Sequence, residues 1–173
     1  LKIMNKLNED VNEIFNLINE ELKSLSKTAQ IVLIGGQLGV YHLGEKEYRK
    51  TYDIDVIHNC DDKDFIELLS QYGIEQVGVM QLPPYEDLTD ENNCEELNYS
   101  NLKVLIPDIE MFAVSKLMTT RSKDLNDLES TNLLKFCDRE RLIKLIDDYK
   151  RYSIDKDHPD INIKQLERLL ENL

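Results

Sequence analysis

Asp53-Ile54-Asp55 sets two carboxylates either side of one isoleucine, and Gly35-Gly36 stands upstream at the end of the apolar run "IVLIGG". In an extended chain alternate side chains share a face, so Asp53 and Asp55 point the same way. Carboxylates that close repel each other unless a cation neutralises both. Mg²⁺ suits that arrangement, because it takes oxygen ligands, commonly one or two carboxylates plus substrate phosphates. Two such ions about 3.5–4 Å apart are a standard device for in-line displacement at phosphorus. The glycine pair, after a strand and before a helix, supplies the complementary half: N–H groups at a helix start attract anions and suit a triphosphate. An isolated Asp-x-Asp is also what a strand with a wet outer face would show. The glycines upstream are what favour chemistry.

The flanking sequence supplies elements that hold these residues. Leu7, Val11, Ile14, Ile18, Leu22 and Leu25 recur at spacings of three and four, which predicts an amphipathic N-terminal helix over 5–27. "IVLIGG" reads as a buried strand, "QLGVYHLG" as a short helix closed by Gly44, and "YDIDVIH" as a strand with Ile54 and Val56 inward. A helix over 61–72 buries Phe65, Leu68 and Leu69, and "IEQVGVM" is a third strand. Residues 81–98, with six acids, no bases and two prolines, read as a loop with room for one short strand. "NLKVLI" is a fourth strand, and Asp108 is the N-cap of the helix that follows. Helices are expected over 108–121, 123–136, 138–151 and 163–173. The expected fold is α+β (α/β): a small mixed sheet flanked by helices, its core over 30–107, with a helical C-terminal part over 108–173.

Composition narrows the partners. Thirty-four acids against 21 bases in 173 residues leave a net charge of −13. Such a surface repels phosphate backbones and anionic lipid, so long non-specific nucleic-acid binding is not expected. No apolar run approaches the roughly 20 residues that would span a bilayer, and no signal peptide is read at the start. Cys60, Cys94 and Cys137 are odd in number and widely spaced, which fits a reducing cytoplasm better than a disulfide framework or a zinc site. His58 falls on the opposite face from Asp55, His42 lies toward the apolar side of its short helix, and His158 sits beside Pro159 in a loop.

Glycine-glycine after a strand, followed by Arg49-x-Thr51-x-Asp53-Ile54-Asp55, resembles the nucleotidyltransferase superfamily that includes DNA polymerase beta and the toxin-type nucleotidyltransferases. "SKLMTTRSKDLNDL" is similar to a second pattern of the small bacterial, uncharacterised branch, with Lys116, Arg121, Lys123, Asp124 and Asp127 at its marked positions. The resemblance runs over about 30–135. It implies one nucleotidyltransferase-like domain over 1–173, in which Asp53 and Asp55 hold Mg²⁺ or Mn²⁺. Gly35 and Gly36 would bound the turn that receives nucleotide phosphates, with Arg49, Thr51 and Arg121 assisting. Lys116 would neutralise triphosphate charge. By its spacing from Phe112, Lys116 leans toward the apolar side of its helix, where a lysine needs an anionic partner or must snorkel outward. Asp124 and Asp127, near a helix start, suit capping and dipole compensation, with Lys123 or Arg121 as a partner for Asp127, and a catalytic role for this second motif, Lys123 included, is the alternative.

Active members of that superfamily carry a third carboxylate near the first pair. "NLKVLI" offers none, which leaves Glu96 before it and Asp108 after it as candidates. The expected activity is Mg²⁺-dependent transfer of a nucleoside monophosphate from an NTP to a hydroxyl on an RNA end, a protein or a small molecule. The competing expectation is an inactive relative that binds nucleotide or a partner protein, in a toxin–antitoxin or defence setting. A scaffold that assembles through the N-terminal helix is a third.

Overall fold

The computed structural model describes residues 6–48, 52–77, 83–119 and 121–150, with Glu171. Arg49, Thr51 and the expected helix over 163–173, Glu171 apart, lie outside the described residues. The chain sorts into two compact units, one within Leu1–Gly78 and Thr89–Pro107, the other within Val79–Leu88 and Asp108–Leu173.

The first unit is built on a five-stranded mixed sheet: β1 (Ala29–Ile34), β2 (Ile54–Ile57), β3 (Ile74–Gln76), β4 (Cys94–Asn98) and β5 (Leu102–Pro107), in the order β3-β2-β1-β5-β4. β1 runs parallel to β5 and antiparallel to β2, while β2 is parallel to β3 and β4 antiparallel to β5. The central strands are the apolar ones: Ile31, Val32, Leu33, Val104, Leu105 and Ile106 are buried. Successive residues of a strand point to opposite faces, so this run of buried residues means that both faces are covered, which is why "IVLI" is continuous rather than alternating.

Among the described residues three helices belong to this unit: α1 (Glu9–Ser24), α2 (Gly35–Leu43) and α3 (Lys63–Gln71). α1 buries Val11, Phe15, Ile18 and Leu22, a spacing of four, three and four. Asn8 caps it by accepting from the Asp10 N–H at 2.9 Å, and Leu25 is already its C-cap, so it is shorter than its apolar repeat suggests. The same face carries Asn19, whose Oδ1 accepts from the N–H groups of Asn101 and Leu102 at 2.6 and 3.0 Å. That buried amide fixes the start of β5 against α1. α3 is capped by Asp62, which accepts from the Phe65 N–H at 3.0 Å, and it buries Phe65, Leu68 and Leu69 as expected. α2 is buried from Gly36 to Leu43 and closes at Gly44, as its sequence predicts.

The stretch read as a loop with one short strand does hold that strand, β4, at a sheet edge, after a single turn α4 (Tyr85–Leu88) that falls in the second unit. The other described elements of that unit are α5 (Ile109–Leu117), α6 (Ser122–Ser130), α7 (Leu133–Phe136) and α8 (Arg139–Lys150). The single helix expected over 123–136 is thus two. Thr131 breaks it: its hydroxyl donates to the Asp127 carbonyl at 2.6 Å and accepts from the Leu133 N–H at 3.3 Å, offering the backbone an alternative to the helix ladder. Asp108 occupies the N-cap position of α5, but its side chain makes no capping bond and accepts instead from Arg141 Nη1 at 2.6 Å. Asp138 caps α8, accepting from the Arg141 N–H at 3.0 Å. Among the described residues no helix is long and apolar enough to cross a membrane.

Candidate functional site

β1 ends at Ile34 and α2 starts at Gly35, with no loop between them. Gly35 makes that change of direction with φ at +68°, a left-handed conformation that an L side chain adopts only at a cost. Antiparallel pairing sets Asp55 opposite Ile34, next to this turn. The Asp55 carboxylate lies over the glycine: its Oδ2 is 2.7 Å from where a Cβ on Gly35 would stand. So Gly35 serves both the backbone angle and the close approach of an acid.

The alternation along β2 is the one the sequence predicts. Ile54 and Val56 are buried, Asp55 and Ile57 are half-buried, and Asp53, just before the strand, is exposed. His58 is buried on the inward side, edge-to-face with Phe65, and its Nδ1 accepts from the Cys60 N–H at 3.2 Å. Burial holds its basicity below the usual histidine range. His42 is also a core group, its Nε2 2.7 Å from the Pro107 carbonyl. A carbonyl only accepts, so Nε2 carries the proton.

The α2 start has no acidic residue in its own first turn, whereas α1 and α3 carry Glu9, Asp10 and Asp64 there. The carboxylate beside the α2 start is brought by β2. A helix start stabilises negative charge, whether that of Asp55 or of a phosphate.

Sequence reasoning missed a further acid. β3 pairs with β2 in parallel, and the register puts Glu75 directly beside Asp55. Register partners share a face of the sheet, so Glu75, which is exposed, lies on the side that carries Asp55. The signal was present in "GIEQV", where Glu75 follows the inward Ile74, and the pairing of this strand with β2 is what gives it meaning. Glu96 lies on β4, which β1 and β5 separate from β2. Three strand spacings amount to roughly 14 Å. It is exposed and 3.9 Å from Lys103. Among the described residues, no three His, Cys, Asp or Glu side chains are close enough together to hold a metal ion.

Lys116, Arg121, Lys123, Asp124 and Asp127 all lie in the second unit. Lys116 is buried and its Nζ donates to Asp124 Oδ1 at 2.9 Å and to Asp127 Oδ2 at 3.0 Å. Asp124 also accepts from the Thr119 hydroxyl at 2.8 Å, and Arg121, largely exposed, comes within 3.8 Å of it. Asp127 was expected to pair with Lys123 or Arg121; it reaches Lys116 because α6 folds back on α5 and turns both acids inward. A third charged group, Arg141, joins Asp108 and Glu110, with Nη1 3.2 Å from Glu110 Oε1. Burial raises the Glu110 carboxyl above its usual range and does the same to the Cys137 thiol.

No curated protein matches the chain. The model of a family described as a nucleotidyltransferase of unknown function (DUF6036) matches residues 9–168, and the chain belongs to that family.

Proposed function

We propose that the first unit binds an NTP with Mg²⁺ and transfers its nucleoside monophosphate to a hydroxyl acceptor. The observation that carries this reading is the Asp55 carboxylate seated on Gly35 at the start of α2. It brings a metal-binding group and an anion-binding helix start into one place. Triphosphate and the two aspartates are all negative, so they can share that place only with a divalent cation between them. Asp55 on β2 and Asp53 just before it offer two hard oxygen donors, a set that fits Mg²⁺ or Mn²⁺ completed by phosphate oxygens and water. When bound there, the ion would neutralise charge on the phosphates and polarise the phosphorus under attack.

The residues of the chain do the rest. N–H groups at the α2 start, with Gly35 and Gly36 keeping side chains away, receive phosphate oxygens. Arg49 and Thr51 precede Asp53 in the chain and assist in phosphate binding. Glu75 is the acid that register favours for taking the proton from the acceptor hydroxyl. Lys116 stabilises its own unit by answering Asp124 and Asp127. With a net charge of −13, the chain favours a small molecule or a protein hydroxyl over a long nucleic acid as acceptor. NTPs and reduced thiols both belong to the cytoplasm, which is where this reading puts the protein.

Thermal melts with Mg²⁺ or Mn²⁺ and each of the four NTPs test the reading. Ligand at a hundred times its Kd adds about 2.7 kcal/mol, which raises the melting temperature by roughly 5–10 °C in a chain of this size. The expected result is a metal-dependent rise that Asp53→Asn/Asp55→Asn abolishes. No rise with any nucleotide, in a protein that melts cooperatively, overturns it and directs attention to a protein partner.

A further inference from the structure

The face of the sheet that carries Asp55 is built in rows, with one residue from each strand. Register sets Ile34 of β1, Asp55 of β2 and Glu75 of β3 side by side. The next row on that face starts with Val32 of β1 and Ile57 of β2. Its third member is Val77. The Val77 N–H donates to the Val56 carbonyl at 3.1 Å, which carries the parallel register one residue past Gln76 and sets Val77 beside Ile57. Just beyond, Gln76 Nε2 donates to the His58 carbonyl at 3.1 Å and holds the two chains together. The rows lie roughly 6.6 Å apart, and neighbours within a row roughly 4.8 Å.

Both rows open in the same direction. Ile34 and Val32 are buried, Asp55 and Ile57 are half-buried, and Glu75 and Val77 are exposed, Val77 by 37 %. The cover over this face therefore ends across β2. What it leaves on β2 and β3 is a shelf with an acidic row and an apolar row. Exposed apolar side chains scattered singly need no explanation. These two adjoin each other and the acids.

We infer that Ile57 and Val77 seat the body of the acceptor, and that the acceptor is a neutral alcohol whose hydroxyl stands on an apolar frame. The inference rests on the reading proposed above. In an in-line displacement the attacking and leaving oxygens stand on opposite sides of the phosphorus. With the terminal phosphates at the α2 start, beside β1, pyrophosphate departs on that side and the hydroxyl enters from the β3 side, over Glu75. Its oxygen bonds to the α-phosphorus and its proton passes to Glu75. The bond from that phosphorus to the bridging oxygen breaks, and pyrophosphate leaves with the electron pair. The rest of an acceptor so placed lies on the row next to Glu75. The acidic row and the net charge of −13 turn away an acceptor that carries phosphate or carboxylate.

The test uses benzyl alcohol and glycerol, both neutral primary alcohols, at equal concentration with Mg²⁺ and the NTP that gives the largest melting rise. The readout is the ratio of the two NMP esters formed, which cancels differences in folding or nucleotide binding between variants. Wild type is expected to favour benzyl alcohol by at least about tenfold, the low end of what an apolar contact discriminates. Val77→Thr and Ile57→Thr, which keep the β-branch suited to a strand, are expected to bring the ratio toward parity, and Val77→Ile to keep it. Benzyl alcohol, and not glycerol, is also expected to shift the methyl resonances of Ile57 and Val77 in protein loaded with Mg²⁺ and a non-hydrolysable NTP. If wild type binds and cleaves NTP yet uses benzyl alcohol no better than glycerol, or if the threonine variants keep the preference, or if the methyls do not move, the inference is wrong. Failure of the underlying reading looks different: wild type itself shows no nucleotide-dependent melting rise, and both ideas fall together.

Discussion

Asp55 Oδ2 stands 2.7 Å from the place a Gly35 Cβ would occupy, on a residue whose φ is already +68°. Gly35→Ala therefore meets two costs at once. The left-handed angle alone costs about 1–3 kcal/mol for a side-chain-bearing residue. The methyl must also push the Asp55 carboxylate away from the helix start. The expected outcome is a lower melting temperature without ligand, and in addition loss of the metal- and nucleotide-dependent rise. If the variant melts lower yet keeps the full rise, the carboxylate does not need its seat on Gly35.

Lys116 with Asp124 and Asp127 is a buried group of one cation and two anions, with side chains 8 %, 6 % and 3 % exposed. Removing the cation leaves two buried carboxylates without the positive charge that offsets them. Lys116→Met is expected to cost about 3–5 kcal/mol, read as a fall in melting temperature of roughly 10 °C. Lys116→Met/Asp124→Asn/Asp127→Asn removes the stranded charge and is expected to recover part of that loss. Should Lys116→Met melt like wild type but bind nucleotide poorly, the lysine acts on phosphate and not on its own unit.

The sheet core and the strand–helix turn at Gly35 were legible because each follows from local pattern: a β-branched run and a glycine pair. Asn19 was not legible. A lone asparagine in an apolar helix face acquires its meaning from the two N–H groups of Asn101 and Leu102, more than eighty residues away. Strand order sets Glu75 beside Asp55 and puts Glu96 three strand spacings away, which no periodicity records. The break at Thr131 came from a hydroxyl competing with the helix, a contest that composition leaves open.

His58 gives a pH signature. Its Nε2 is buried and has no hydrogen-bond partner among the described residues, and burial holds the folded-state pKa below the ordinary histidine value of 6.5. The unfolded chain therefore binds the proton more readily than the folded one. Stability from this group is intact above about pH 6.5 and is lost as pH falls from there toward the folded-state value. Melting temperatures measured from pH 7.5 down to 5 are expected to fall more steeply for wild type than for His58→Phe over that window. Parallel curves would mean that His58 titrates alike in both states.

Glu75 separates binding from chemistry. It is the register partner of Asp55 on β3, and no group of three acids among the described residues is tight enough to hold a metal together. A base that takes the proton from the attacking hydroxyl acts in the transition state, so its loss lowers turnover without weakening the bound nucleotide. Glu75→Gln is accordingly expected to keep the nucleotide-dependent melting rise. Cleavage of NTP to NMP and pyrophosphate, with water as the default acceptor, is expected to slow by about 10²–10⁴-fold. Asp53→Asn/Asp55→Asn should lose both. If Glu75→Gln loses the melting rise as well, the glutamate belongs with the aspartates in holding the metal, and the two-carboxylate description of the site must become a three-carboxylate one.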